Sequence, residues 1–211
     1  METLIVGISG RSGSGKSTIV MEILKQLGPD QAVLHSMDDY YLQRSNQVMD
    51  EDGYLNFDLP SSFEINTFYD NLVKLKSGKN VEIKEYVFNA ESSSSLKTLL
   101  VAPIILVEGL FINHFAQINE LIDYQVFVTL DRNSSYQRRL IRDQKCRNYK
   151  EAEISHRFFK HAEPAYKKYI EPFENQANLI LDNNIQLKEN IAFQNLIDLL
   201  EDFLNKKGDP Q

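Results

Sequence analysis

Residues 3–18, TLIVGISGRSGSGKST, limit what this chain can become more than any other stretch. Leu4, Ile5, Val6 and Ile8 form a short apolar run rich in β-branched residues, the pattern of a strand buried in a parallel sheet. Gly10, four further residues, then Gly15, Lys16 and Ser17 stand at the spacing of a phosphate-binding loop. Backbone N–H groups that curl around a polyphosphate need side chains absent where the loop bends, and Gly13 and Gly15 meet that need. Lys16 is then expected over the β- and γ-phosphates as a solvent-facing charge, and the Ser17 hydroxyl on Mg²⁺. A helix opening at that point aims its positive dipole end at the anion. A flexible Gly/Ser turn is the plainer alternative, and the strand before it and helix after it favour the phosphate cradle.

With 211 residues and no Pro- or Gly-rich linker, the chain is expected to form one domain, residues 1–211. The formal net charge of −7 argues against a nucleic-acid surface, and no apolar run reaches the length of a membrane span. Neither nucleic acid nor membrane is therefore expected as a partner, while a homo-oligomer stays open. Met1 leads directly into the first strand with no room for a signal peptide, which predicts a cytoplasmic protein. Cys146 is the sole cysteine, so an intrachain disulfide is excluded and no cysteine cluster is on offer for a metal.

Beyond the loop, Ile19, Ile23 and Leu27 recur every four residues as the core face of a helix that Gly28-Pro29 ends. Residues 31–36 read as a second strand, which hands over to Met37-Asp38-Asp39-Tyr40-Tyr41. Ligands of open α/β sheets sit beyond the carboxyl ends of the strands. An acid there could take a proton from an acceptor hydroxyl or hold Mg²⁺ through water, or else form an acidic turn. Residues 42–60 are polar and irregular, with Asp50-Glu51-Asp52-Gly53 as an exposed turn. Ser61 and Glu64 stand at capping-box spacing and predict a helix to about Lys76, with Phe68, Leu72 and Leu75 inward and Ser77-Gly78 as its stop. Residues 81–88 alternate as a strand whose hairpin partner runs up to Val101, around a solvated tip at 91–95.

Residues 103–109 read as a buried strand ending at Glu108, the expected place for an acid on Mg²⁺, or for a cap of the next helix. Residues 111–121 read helical and 124–130 as a core strand. Asp131 then caps a helix bearing Arg138, Arg139 and Arg142, with Arg147 beyond it. That spacing fits either guanidinium groups converging on phosphate as a closing lid or a solvated basic face. A helical stretch at 163–169, a last strand at 178–181 and an amphipathic helix at 187–204 complete the chain.

Taken in order, these segments resemble the uridine/cytidine kinase family, within the wider phosphoribulokinase group, from Gly7 to about Asp182. Gly7 through Thr18 is similar to that family's phosphate loop, and Asp38-Asp39-Tyr40-Tyr41 to its acid-x-aromatic-Tyr motif. Asn56-Phe57-Asp58-x-Pro60 resembles its Asn-Phe-Asp-His-Pro segment and Val107-Glu108-Gly109 its acid-bearing strand. Arg138-Arg139-x-x-Arg142-Asp143, with Arg147, resembles its lid. The implied fold is α/β, a P-loop NTPase-type doubly wound and mainly parallel sheet, with a small hairpin insertion near 81–101 and a helical lid near 138–160.

The resemblance also implies an ATP-dependent kinase with Mg²⁺ and a small nucleoside-like acceptor. Asp38 is then the catalytic base, acting with Lys16. Gly10, Ser12, Gly13, Ser14, Gly15, Lys16, Ser17 and Thr18 hold ATP together with Arg142 and Arg147, and Ser17 and Glu108 hold the metal. Asp38, Tyr41, Asp58, Tyr86, Glu91 and Arg139 surround the acceptor, with Asp58 and Arg139 on ribose hydroxyls and Tyr86 stacked on the base. Three positions depart from the family's pattern. Glu91 stands where the family has a base-reading histidine, Tyr149 follows Arg147-Asn148 where its lid ends Arg-Gly-Arg, and Leu59 replaces a histidine. An ionised glutamate offers acceptors only and a tyrosine one hydroxyl, which implies a base pocket that prefers cytidine to uridine. Two other readings fit the same loop: a kinase of nicotinamide riboside or a sugar phosphate, and a nucleotide-binding regulator without turnover. A GTPase is disfavoured because no Asn-Lys-x-Asp follows a strand.

Overall fold

The computed structural model describes residues 3–88 and 95–208. β1 (Leu4–Gly10) runs into the glycine loop and α1 (Lys16–Leu27). β2 (Ala32–Ser36), a 3₁₀ turn at Met37–Tyr40 and a minimal hairpin of β3 (Val48–Met49) and β4 (Leu55–Asn56) follow. α2 (Ile65–Lys76) leads to β5 (Val81–Lys84) and β6 (Leu96–Leu99), which pair antiparallel as a separate hairpin. Next come β7 (Ile104–Glu108), a single helical turn α3 (Ala116–Asn119) and β8 (Tyr124–Thr129). α4 (Arg132–Arg147) and α5 (Glu151–His156) continue into a π-helical segment, Arg157–Ala162. The short α6 (Glu163–Ala165), a second π-turn, β9 (Leu179–Asp182) and α7 (Ile191–Gly208) close the chain.

The central sheet has the order β2-β7-β1-β8-β9, with every pair parallel. Side chains alternate along a strand, so a strand buried on both faces feeds two cores. Ile5 joins Ile105, Val107 and Phe127 on one face, where Phe68, Leu72 and Leu75 of α2 cover them. Val6 and Ile8 join Leu106, Val126 and Val128 on the other, beneath Ile19 and Ile23 of α1 and Phe193, Ile197 and Leu200 of α7. No helix among the described residues is long and apolar enough to cross a membrane.

Four local expectations are corrected. The helix expected from Ser61 begins at Ile65, and Glu64 caps it without a side-chain bond. Phe63 is 5% exposed and pairs in extended form with Tyr41, so its burial holds the chain straight where the capping box required a turn. The helix expected over 111–121 shrinks to four residues. Phe111, Ile112 and Asn113 are all buried, and three consecutive inward side chains do not fit one helical face. Residues 187–189 form a 3₁₀ turn, and the last helix starts at Ile191 because Asn190 Oδ1 accepts the Phe193 N–H at 3.2 Å. In the Asp50 turn, Asp50 itself is partly buried and accepts from His156 and His161. The tip at 91–94 lies outside the described residues.

Candidate active site

Strand register determines which side chains can meet. Glu108, the last residue of β7, is the partner of Ile8 in β1 and of Ser36 in β2. The glycine loop, the 37–40 turn and Glu108 therefore emerge level at one edge of the sheet, its carboxyl end. A cavity of about 510 Å³ opens there. Of the residues singled out from the sequence, Ser12, Gly13, Gly15, Lys16, Ser17, Thr18, Asp38, Tyr41, Asp58, Glu108, Arg139, Arg142 and Arg147 line it.

Gly13 and Gly15 have φ of +82° and +94°, a region that side chains rarely tolerate, and a Cβ on Gly13 would lie 2.6 Å from the Ser135 carbonyl oxygen. Lys16 is buried rather than solvent-facing, 9% exposed, and its Nζ donates to the Gly10 and Arg11 carbonyls at 3.0 and 3.2 Å. Burial lowers its pKa, against the opposing pull of Glu108 and Asp38. Ser17 Oγ donates to Glu108 Oε1 at 2.9 Å, while Glu108 Oε2 is buried with no hydrogen-bond partner. Burial, with the negative charge of Asp38 added to it, pushes the Glu108 carboxyl above its ordinary range. A hydroxyl beside a carboxylate with an unsatisfied oxygen is a donor set that suits a hard cation such as Mg²⁺.

The two neighbouring acids of the 37–40 turn part company. Asp38 faces the cavity. Asp39 turns to the β5–β6 hairpin, where Lys97 lies 3.8 Å away, and burial raises its pKa. On the opposite wall, Arg139 holds Asp58 with two bonds of 3.1 and 3.0 Å and donates to Ser12 Oγ at 3.1 Å. Burial works against that guanidinium charge, but the Asp58 carboxylate outweighs it and raises the arginine pKa. Arg142 and Arg147 converge with Arg139 on Asp143, at 2.7 to 3.4 Å. Burial alone would raise the pKa of Asp143, and these arginines reverse it. Arg147 also lies 3.6 Å over the ring of Phe88. Asn148 ends α4 at φ +55°, the left-handed position where the resembled lid has glycine and asparagine is tolerated.

Other expected site residues lie elsewhere. Gly10 and Ser14 shape the loop from behind the cavity wall, and Ser14 Oγ is buried without a partner. Tyr86 is off the wall, packed on Tyr41 and Phe88 with ring centroids 5.3 and 5.0 Å away. Glu91 lies outside the described residues. Asn183 and Leu187 also line the cavity without having been expected there, and so does Phe57 of the Asn56-Phe57-Asp58 segment. Asn183 Nδ2 donates to the Ser14 carbonyl at 2.7 Å, and its own carbonyl accepts from Arg138 at 3.2 Å. Its one legible signal was its place just past the carboxyl end of β9.

Known proteins share this chain's fold or its sequence. Phosphoribulokinase from Rhodobacter spheroides shares the fold at a TM-score of 0.63 and 15% identity, over 86% of this chain and 70% of that one. D-glycerate 3-kinase from Cryptococcus neoformans var. grubii does so at 0.62 and 17%, over 88% of each chain. The uridine kinase of Staphylococcus haemolyticus (strain JCSC1435) is 31% identical over 181 residues, 85% of this chain and 87% of that protein. The sequence profile of the phosphoribulokinase / uridine kinase family matches residues 5–188, and the chain belongs to that family.

Proposed function

We propose that this chain is a kinase that transfers the γ-phosphate of ATP to the 5′-hydroxyl of a pyrimidine nucleoside. The observation that carries this reading is the meeting of Lys16, the Ser17–Glu108 pair, Asp38 and the Asp58–Arg139 pair in one cavity. Asp38 accepts the proton of the acceptor hydroxyl as its oxygen bonds to the γ-phosphorus and the bond to the bridging oxygen of ADP breaks. Lys16, Arg142 and Arg147 stabilise charge on the moving phosphoryl group. Ser17 and Glu108 would hold Mg²⁺, which supplies charge neutralisation between the phosphates when bound. Asp58, already fixed by Arg139, keeps lone pairs for ribose hydroxyls, and Tyr41 with Tyr86 and Phe88 forms an aromatic wall behind them.

The name of the Staphylococcus relative supports a nucleoside acceptor, whereas the two structural neighbours act by name on other alcohols and support only the fold. A base end bearing Glu91 and Tyr149 in place of the family's histidine and arginine would favour cytidine over uridine. Tyr149, in place of a lid arginine, accepts from Arg44 at 3.4 Å and lies beneath Arg157, 4.7 Å from its ring centre. A pocket that leaves a buried polar group unpaired discriminates by up to about 10⁴-fold. We expect ATP consumption with cytidine to exceed that with uridine, nicotinamide riboside and sugar phosphates, and Glu91→His to shift the kcat/KM ratio toward uridine. Efficient uridine turnover by the unaltered protein, or an unchanged ratio in Glu91→His, overturns the base preference. Turnover with a sugar phosphate alone overturns the nucleoside reading. Glu108→Gln is expected to raise the Mg²⁺ concentration for half-maximal rate about 10-fold or more, in the range of lost metal-site contacts. An unchanged Mg²⁺ response removes Glu108 from the metal site.

A further inference from the structure

Away from the cavity, Asp50, His156 and His161 bring their ligand-type atoms to within 4.8 Å of one another. Both Nε2 atoms lie 2.7 Å from a single carboxylate oxygen, Asp50 Oδ2. None of the three lines the cavity, and the phosphoryl transfer above uses none of them. We propose that they form a binding site for a borderline divalent transition metal of the Zn²⁺ class, clipping the β3–β4 hairpin to the helical segment that follows α4.

The donor set selects the class of ion. Two imidazole nitrogens and a carboxylate suit Zn²⁺, Co²⁺ or Ni²⁺ and are a poor match for Mg²⁺ or Ca²⁺, which take oxygen. Backbone geometry brings the donors together. In an α-helix, residues five apart diverge by about 140° around the axis. Here the turn over Arg157–Ala162 is π-helical, which rewinds the chain so that His156 and His161 face each other with ring centroids 5.5 Å apart. The carboxylate is oriented as metal-ligating carboxylates are, by hydrogen bonds to its other oxygen. Asp50 Oδ1 accepts the N–H groups of Asp52 and Tyr54 at 3.0 and 2.7 Å, which leaves Oδ2 to the imidazoles. The side chains of His161, His156 and Asp50 are 3%, 16% and 19% exposed, so bulk water competes little. Asp52 Oδ2, 3.8 Å from His156 Nε2 and on the solvent side, or a water, completes a four-coordinate site.

Little movement is needed to admit the ion. Bonds of about 2.0–2.2 Å in tetrahedral geometry separate ligand atoms by about 3.3 Å, so each N···O pair opens by about 0.6 Å. Each imidazole would bind the ion through Nε2 with its ring proton on Nδ1. His161 Nδ1 is buried with no partner, so this ligand lacks the outer acceptor that typically contributes about 10–100-fold in affinity. The expected dissociation constant is accordingly micromolar.

The test uses the full chain stripped of metal by chelation. Zn²⁺ is titrated by calorimetry, Co²⁺ is followed by its visible absorption, and thermal melting is recorded with and without Zn²⁺. We expect one Zn²⁺ per chain, a raised Tm, and a Co²⁺ spectrum of low-coordinate type. His156→Gln, which keeps a donor for Asp50, and His161→Gln should each weaken Zn²⁺ binding about 10-fold or more. Glu108→Gln should keep it, which separates this site from the cavity. Absence of micromolar Zn²⁺ binding in the unaltered chain, its loss in Glu108→Gln, or unchanged affinity in both histidine variants overturns the proposal. None of these readouts requires the protein to be a kinase.

Discussion

Asp38→Asn is expected to lower kcat by about 10²–10⁴-fold while leaving ATP affinity within a few-fold, the range for loss of a general base. Asparagine keeps the shape of the side chain but cannot take a proton. The surroundings of the turn survive the change, because the Asp38 backbone N–H, not its carboxylate, bonds to Ser36 Oγ at 3.3 Å. Asp39→Asn is the matched control. It sits one residue away yet faces Lys97, a partly exposed pair of the kind worth about 1 kcal/mol or less, and its loss should leave kcat near the unaltered value. Single-turnover rates and ATP titrations on both variants separate the cases. Equal losses in the two variants, or a defect confined to ATP affinity, would remove Asp38 as the base.

Lys16→Met should lower kcat/KM by about 100-fold or more, as loss of a charge contact to a developing anion does, while the Tm moves by only a few degrees. Methionine retains the length and apolar volume of the lysine stem. What disappears is the ammonium that bridges the Gly10 and Arg11 carbonyls and that, on the proposed reading, contacts the β- and γ-phosphates of ATP. The neighbouring Glu108 then carries an uncompensated charge, which should weaken the variant further at high pH than at low pH. The raised Glu108 pKa sets the sign: stability from a group whose folded pKa lies above its unfolded value is present below the unfolded pKa and lost as pH rises through the folded one. Near-normal turnover in Lys16→Met would sink the phosphate-loop assignment.

Some of this protein was written in the sequence in a form that local rules decode. The β1, loop and α1 unit follows from a β-branched run, glycines where φ must be positive, and apolar residues every four positions. Glu108 at the end of β7 and Asp131 as an N-cap, accepting the Ser134 N–H at 2.9 Å, are equally local. These features succeed because the interactions that decide them span a few residues, so spacing and residue type carry the whole argument. The arginines of α4 were legible as a set, but their spacing allowed a solvated face as readily as a convergent one.

Tertiary structure decided the rest. Arg139 meets Asp58 across 81 residues, and only folding shows that this arginine is buried while Arg138, its neighbour, is exposed. Phe63 and Phe111 overrode helix signals because burying a phenylalanine contributes about 1.5–3 kcal/mol, more than a cap or a few tenths of propensity per residue. Asn183 reaches Ser14 across 169 residues, with only its place past the end of β9 to announce it. Asp50 meets His156 and His161 at separations of 106 and 111 residues, through a π-turn that no helical periodicity would place on one face. Local sequence specifies which groups are available and how each element begins, while the packing of distant elements decides which of those groups share one buried volume, because desolvation and charge pairing depend on distance in space and not along the chain.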